Sequence, residues 1–142
     1  MIHLLKTAAG CASLEDLIER QKPRAERKKN LGLVFMHRTR NAPKRADEVL
    51  DGGSIYWIIK GAIRARQPIV AIGPAAGRDG RPRCGLTLSF PPVPTLPMPR
   101  GAIQGWRYLE AGDAPSDLTK AGAGAAKLPP DMADELQRLG LL

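Results

Sequence analysis

Aromatic residues are scarce in this sequence of 142 residues: two Trp, two Tyr and two Phe make up 4% of the chain. Each of these side chains therefore supplies a large part of either the core or a binding surface. Cysteine and histidine are as scarce, and Cys11 and Cys84 share no metal-binding spacing with each other or with the two histidines. We therefore predict no metal site and no cofactor.

Long apolar runs and catalytic motifs are also lacking. No segment approaches the roughly 18 uncharged apolar residues that cross a bilayer, and the N-terminus lacks the pattern of a signal peptide. We expect a cytoplasmic protein with no membrane partner. The chain contains no GxSxG or HExxH motif and no Cys–His spacing typical of a protease family, so no enzyme class is indicated.

Carboxylates are few in the middle of the chain. Residues 20–107 hold 18 Lys and Arg against 5 Asp and Glu, whereas residues 1–19 carry a net charge of −2 and residues 108–142 carry −3. The overall net charge of +8 therefore arises in the central segment. Such a concentration of cations indicates RNA or another polyanion as a partner.

Proline and glycine are abundant, with 13 and 15 copies, and they divide the chain into short elements. Alternation predicts a first strand over residues 2–7, and Ser13 is typical of a helix N-cap. Pro23 interrupts the helix that follows, and the charged residues 24–30 predict either a solvated helical half or a loop. Residues 31–40 alternate again and predict a second strand.

The second half of the chain favours strands. A short helix is predicted over residues 43–50, followed by one bent strand or two strands over 54–72. The Asp79–Gly80 turn signal makes residues 62–90 a predicted antiparallel hairpin. Residues 91–100 contain five prolines and predict an extended surface connection, before a last strand over 103–109.

We therefore predict an α+β fold in one domain spanning residues 1–142. Its centre is a curved, mostly antiparallel sheet of five or six strands that could close into a PUA-like barrel, with helices at the periphery. Residues 121–128 are low in complexity and predict a flexible linker to a C-terminal helix.

Three groups of residues are candidates for ligand binding. The first follows His37 at a strand end and continues into a helix start, which is a favourable place for an anion. The second recurs at even positions of an extended segment, and the third combines aromatic rings with a cation. The candidate residues are Arg38, Arg40, Lys44, Arg45, Lys60, Arg64, Arg66, Trp106 and Arg107. Solvated cations, a core histidine and buried aromatic rings would explain the same patterns.

Several short motifs resemble an uncharacterised family of short alphaproteobacterial proteins, domain of unknown function 1489. These motifs are Pro43–Glu48, Asp51–Ser54, Tyr56–Trp57, Ile59–Gly61, Arg66–Gln67 and Gln104–Leu109. The resemblance covers nearly the whole chain and implies a bacterial origin but no catalytic residues. The order of elements and the basic segment from Lys60 to Arg66 are also similar, more weakly, to PUA-like and ASCH domains, which often bind RNA or modified bases.

Two functions follow from these observations. The first hypothesis is a non-catalytic module that binds RNA or another phosphorylated ligand through the central basic residues. The alternative is a small enzyme that acts on an anionic substrate in a cleft near His37 and Lys60, for which Asp47, Glu48 and Arg107 are further titratable candidates.

Overall fold

Eight strands and two α-helices are formed by residues 1–118, the part of the chain that the computed structural model describes. The helices are α1 (Leu14–Gln21) and α2 (Ala46–Leu50), and 3-10 turns cover Lys22–Arg24 and Ala111–Asp113. The strands are β1 (Ile2–Thr7), β2 (Glu26–Lys28), β3 (Gly32–Thr39), β4 (Ser54–Ile59), β5 (Ala62–Ala76), β6 (Pro82–Ser89), β7 (Val93–Pro99) and β8 (Trp106–Glu110).

The strands form one mixed sheet in the order β2-β3-β6-β5-β4-β1-β8, and β7 pairs with β5 outside this path. Pairing is antiparallel throughout, except that β1 and β4 run parallel. The predicted α+β class and the mostly antiparallel sheet are therefore confirmed. Within residues 1–118 the strand pairing does not close into a barrel, because β2 and β8 are left as edges.

The long strand β5 connects the two halves of the sheet. Its first half pairs with β4 as far as Pro68, and its second half pairs with β6 from Ile69 onwards. Pro68 has no N–H to donate, so its position at this exchange of partners suits it. Around Arg64 the pairing with β4 also shifts by one residue and the pairing with β7 by two, which forms a β-bulge and bends the strand.

The sheet is strongly curved, as two contacts between distant strands demonstrate. Strands β3 and β4 are three places apart, which is about 14 Å in a flat sheet, yet the rings of His37 and Trp57 lie 5.2 Å apart. Strands β3 and β8 are five places apart, about 24 Å in a flat sheet, yet the Nε1 of Trp106 donates to the carbonyl oxygen of Asn41 at 3.0 Å. The sheet therefore wraps round until β8 lies close to the end of β3.

The main hydrophobic core fills the inside of this curve. Strand β4 is buried along its whole length, and Trp57 is 3% exposed. The indole Nε1 of Trp57 donates to Oε1 of Gln67 at 2.8 Å, and Gln67 in turn exchanges hydrogen bonds with Gln21 of α1. As predicted, Ser13 caps α1, because its Oγ accepts from the backbone N–H of Asp16 at 3.1 Å. Helix α1 contributes Leu14 and Leu17 to the core.

Several boundaries differ from the sequence prediction. The charged segment 24–30 contains the edge strand β2, because its backbone pairs with the start of β3 while its side chains stay exposed. The proline-rich segment 91–100 contains β7, which is possible because prolines are accepted at a sheet edge. The hairpin over residues 62–90 is confirmed. The predicted linker over residues 121–128 and the C-terminal helix lie outside the described residues.

Helices are short throughout the described chain. Among residues 1–118, no helix has both the length and the apolar character needed to cross a bilayer.

We expect Trp57→Ala to lower the free energy of unfolding by on the order of 3–5 kcal/mol, because it leaves a large cavity in the core. Trp57→Phe should cost less, since the ring volume is mostly retained and Oε1 of Gln67 still accepts from Gln21. Urea unfolding followed by far-UV circular dichroism measures both. An unchanged midpoint for Trp57→Ala would contradict the position of Trp57 in the core.

Candidate functional site

Side chains join the edge strand β8 to the segment that follows β3, and we call this junction the seam. Besides the bond from Trp106 to Asn41, the backbone N–H of Arg45 donates to the Tyr108 hydroxyl at 3.1 Å. Both bonds join β8 to the segment that follows β3. Side-chain bonds leave more room between the two strands than a backbone ladder would, and a cleft opens here.

The cleft has a volume of about 1010 Å³ and is strongly basic. Among residues 1–118, seven cationic side chains line it and no Asp or Glu does. The remaining lining residues include Phe35, His37 and Trp106. The cations, which we call the cleft cations, are Lys6, Arg24, Arg38, Arg40, Arg78, Arg83 and Arg107.

Elements far apart in the sequence bring the cleft cations together. The alternation of β1 puts Lys6 on the same face as the core residues Ile2 and Leu4. The hairpin between β5 and β6 supplies Arg78 and Arg83, and the 3-10 turn after α1 supplies Arg24. The remaining three come from β8 and from the end of β3. Because the sheet wraps round, all of these positions face one space.

Most of the cleft cations have no counter-ion. Arg83 pairs with Asp79, with 3.3 Å between Nη2 and Oδ2, and Nη1 of Arg107 donates to the carbonyl oxygen of Gln104 at 3.3 Å. Among residues 1–118, the other five neither form an ion pair nor donate a side-chain hydrogen bond: Lys6, Arg24, Arg38, Arg40 and Arg78. Their donors are therefore available to an anion.

Lys6 is the most enclosed of the cleft cations. It is half-buried, and its neighbours in register are Trp57 on β4 and Trp106 on β8. Burial lowers the pKa of Lys6, since leaving water penalises its charged form. An anion bound beside Lys6 would offset this penalty.

His37 carries an unusual nitrogen. Its Nε2 is buried and has no hydrogen-bond partner in the described part of the chain. Its ring lies edge-on to Trp57, at an interplanar angle of 86°. Burial first, and the nearby charge of Lys6 second, lower the pKa of His37 to about 4, so His37 is neutral at pH 7.

Trp106 holds the seam and lines the cleft at once. Its ring also contacts Tyr108 edge-on, with 4.9 Å between the centroids. Tyr108 is absent from the lining of the cleft, and its hydroxyl accepts from Arg45. Of the two aromatic rings predicted to form a stacking platform, Trp106 alone therefore lines the cleft.

Four of the nine predicted binding residues line the cleft together: Arg38, Arg40, Trp106 and Arg107. The other five do not line it, and two of them are neutralised. Arg45 pairs with Glu48 and Glu110, and Arg66 forms a two-pronged ion pair with Asp117.

The predicted cationic stripe along residues 60–66 is broken by local geometry. Lys60 occupies the tight turn between β4 and β5, where both it and Gly61 have positive φ angles (48° and 77°). Arg64 lies in the β-bulge and donates to the carbonyl oxygen of Ile59 at 2.8 Å. Lys44 is exposed outside the cleft. Of His37 and Lys60, the two residues that the enzyme hypothesis placed at one cleft, only His37 therefore lines it.

Arg66 belongs to a separate polar pocket of about 410 Å³ on the other face of β4. Its Nη1 donates to the Ser54 hydroxyl at 2.9 Å, and the backbone N–H of Ser54 donates to Nδ1 of His3 at 3.0 Å. The ion pair of Arg66 with Asp117 ties the segment after β8 to the sheet.

Four cleft cations were missed from the sequence: Lys6, Arg24, Arg78 and Arg83. Lys6 carried a signal, because alternation with Ile2 and Leu4 already puts it on the core face of β1. Arg78 and Arg83 flank the Asp79–Gly80 turn, so their proximity to each other was predictable. Their proximity to β8 was not, because it depends on how far the sheet wraps.

Metal ligands do not cluster in the described residues. No three His, Cys, Asp or Glu side chains within residues 1–118 are close enough together to bind an ion.

The fold and the cleft define the protein as an α+β protein with an unclosed, wrapped sheet and a basic cleft at the seam. Its sequence matches a family model described as a protein of unknown function (DUF1489) over residues 4–142, and the chain belongs to that family. No curated protein and no solved structure matches it. The bacterial origin and the likeness to PUA-like and ASCH domains stay predictions.

We expect acid to destabilise the fold through His37. Between pH 6.5 and about 4, His37 is protonated in the unfolded chain but stays neutral in the folded protein. The free energy of unfolding therefore falls as the pH falls through this window. The full effect is about 3 kcal/mol, at 1.36 kcal/mol for each unit of pKa shift.

Unfolding in urea at a series of pH values, for wild type and His37→Leu, measures this contribution. The variant should lose less stability than wild type between pH 6.5 and 4. Some dependence should remain, because burial also lowers the pKa of His3. Parallel curves for the two proteins would mean that His37 titrates normally.

Proposed function

We propose that this protein is a binding module for single-stranded nucleic acid, RNA in the first instance, and that the strand occupies the basic cleft. The observation that carries this proposal is the cleft of about 1010 Å³, which seven cations and no carboxylate from the described part of the chain line. A regularly charged polyanion neutralises such an array, because each phosphate contact releases counterions and so favours binding.

The size of the cleft favours a polymer over a small metabolite. Pockets for small ligands have volumes of about 300–1,000 Å³, so this cleft lies at the upper limit of that range. A single small phosphate ester would leave several of the unpaired cations unsatisfied. A strand of several nucleotides would supply a phosphate to each.

Trp106 favours a single strand over a duplex. Its indole N–H is already bonded to Asn41, so the ring is held in place and offers the cleft an apolar surface. Unpaired bases stack on such rings, whereas the bases of a duplex are stacked on each other.

The enzyme hypothesis is less well supported. A general acid or base needs a partner that positions it and a pKa near the working pH. His37 has a pKa of about 4, and within residues 1–118 no carboxylate lines the cleft around it.

The salt dependence of RNA binding tests this proposal. For four to six phosphate contacts the log–log slope of affinity against salt should be about −3 to −4, since each contact to a single strand adds roughly 0.7. Arg38→Glu with Arg78→Glu should weaken binding and reduce the magnitude of the slope by about 1.4 or more. Fluorescence anisotropy of a labelled RNA of about 12 nucleotides, from about 50 mM salt upwards, measures the slope.

Lys29→Glu, compared with Arg38→Glu alone, is the matched control, because each variant reverses one positive charge and Lys29 lies in the turn between β2 and β3. Residue 29 is exposed and precedes β3, roughly 20 Å along that strand from Arg38. Its slope should equal that of wild type. An absence of binding at low salt would refute the proposal, and an equal loss in Lys29→Glu would mean that the strand does not lie in the cleft.

Trp106→Ala should weaken RNA binding by about 1–3 kcal/mol with little change in the salt slope, because it removes stacking and no charge. Trp106→Phe also loses the bond to Asn41 but keeps an aromatic ring, and it should retain most of the affinity. The same anisotropy titrations compare the two variants. Equal losses would assign the effect to the seam instead of to stacking.

A further inference from the structure

A second cavity, which we call the apolar groove, lies directly beside the basic cleft. It has a volume of about 200 Å³ and shares Lys6, Phe35 and His37 with the cleft. Its other walls include Leu17 of α1 and Trp57 of β4. These three shared side chains therefore form the boundary between a highly charged space and an apolar one.

Most of the polar groups that line the groove already have partners. Gln21 is bonded to Gln67, the indole N–H of Trp57 donates to Gln67, and Arg20 donates to the carbonyl oxygens of Ala9 and Gly10. The hydroxyl of Thr7 is bonded to the backbone of Ile103. The groove therefore has very little free hydrogen-bonding capacity along its walls.

Apart from the weakly hydrogen-bonding thiol of Cys11, His37 and Lys6 are the exceptions in the described residues, and both lie on the boundary. The Nε2 of His37 is the one buried side-chain nitrogen or oxygen in residues 1–118 that lacks a partner. Leaving a buried polar atom unpaired is costly, so such an atom needs an explanation. A ligand that bonds to this nitrogen provides one.

The groove and its boundary together specify the chemistry of a ligand. The ligand needs an uncharged, mostly apolar body for the groove, a polar edge for His37, and an anionic group a short distance away for the cleft cations. A neutral imidazole nitrogen either donates or accepts, depending on its tautomer. A nucleobase joined through its ribose to a phosphate has all three features.

We propose that the apolar groove receives the base of one nucleotide, whose polar edge bonds to Nε2 of His37 while its phosphate lies among the cleft cations. This inference rests on the proposed function and gives it a specific subsite. Because a volume of about 200 Å³ is below the usual range for whole ligands, the groove takes the base alone, and the sugar and phosphate remain outside.

Two pairs of ligands test the groove on the wild-type protein. A labelled RNA of about 12 nucleotides should bind more tightly than the same strand made abasic throughout. In the Trp106→Ala variant, where stacking on Trp106 no longer contributes, the difference should still be about tenfold or more. Nucleoside monophosphates should also bind more tightly than ribose 5-phosphate. Isothermal titration calorimetry at low salt measures the monophosphates.

Two variants then locate the effect. Ala9→Phe adds a ring at an exposed position that lines the groove, and it should abolish the advantage of nucleoside monophosphates while ribose 5-phosphate binds as before. His37→Leu should reduce the differences in affinity among AMP, GMP, CMP and UMP. If Ala9→Phe is unfolded by circular dichroism, the comparison with the abasic strand in the Trp106→Ala background still decides the question.

The outcomes separate the two proposals. If RNA binds with the expected salt slope but the abasic strand binds equally well in the Trp106→Ala background, the groove proposal is wrong and the cleft proposal stands. If neither strand binds, the cleft proposal itself fails. If decyl phosphate binds, nucleoside monophosphates do not, and Ala9→Phe blocks the decyl phosphate, the groove takes an acyl chain instead of a base.

Discussion

The seam between β3 and β8 is the contact on which the site depends. Strand β8 is one edge of the wrapped sheet, and β3 is uncovered beyond Val34, where its pairing with β2 ends. Here Trp106 and Tyr108 reach the backbone of Asn41 and Arg45, yet β3 and β8 do not pair. A closed ladder would fill this space with backbone hydrogen bonds. Because side chains make the closure instead, Lys6 of β1 and the end of β3 line the same opening, and their cations share one cleft.

This arrangement acts against the stability of the fold. Seven like charges around one space repel each other, and burial penalises the charged form of Lys6 and of His37 further. Elsewhere the protein neutralises such charges, as with Arg66 and Asp117 or Arg45 and Glu48. Departures from local consistency concentrate at functional sites. In the described structure, the cleft combines two such departures: like charges that lie close together and titratable groups that are buried.

The sequence predicted local structure well and long-range geometry poorly. Strand β1, the cap at Ser13 and the hairpin of β5 and β6 follow from alternation, capping and turn chemistry, which act over a few residues. The cationic stripe failed for a local reason with no clear signal, because the β-bulge at Arg64 changes which side chains share a face. The strand β7 was missed because prolines argue against a central strand but not against an edge.

The site was only half predictable, since its residues come from β1, β3, β8 and the hairpin of β5 and β6. Which of the many cations meet depends on the curvature of the whole sheet, and curvature is not encoded in any short window. The charge balance of residues 20–107 indicated that a basic surface exists, without indicating where. Arg38 and Arg40 were identified because they lie at the end of a strand. Arg78 was not identified, because the hairpin that carries it approaches them only in the folded protein.

The cleft and the apolar groove would contribute different parts of recognition. Phosphate contacts supply affinity that is independent of sequence and falls with salt, so the cleft cations alone would bind any single strand. Selectivity requires contacts to base edges, and His37, whose ring carries an unpaired nitrogen, lines the boundary where such an edge would arrive. Because His37 is neutral at pH 7, it can discriminate between donors and acceptors, which a protonated imidazole could not. Burial in the curved sheet, which costs stability in acid, is therefore also what would give this residue its capacity to select.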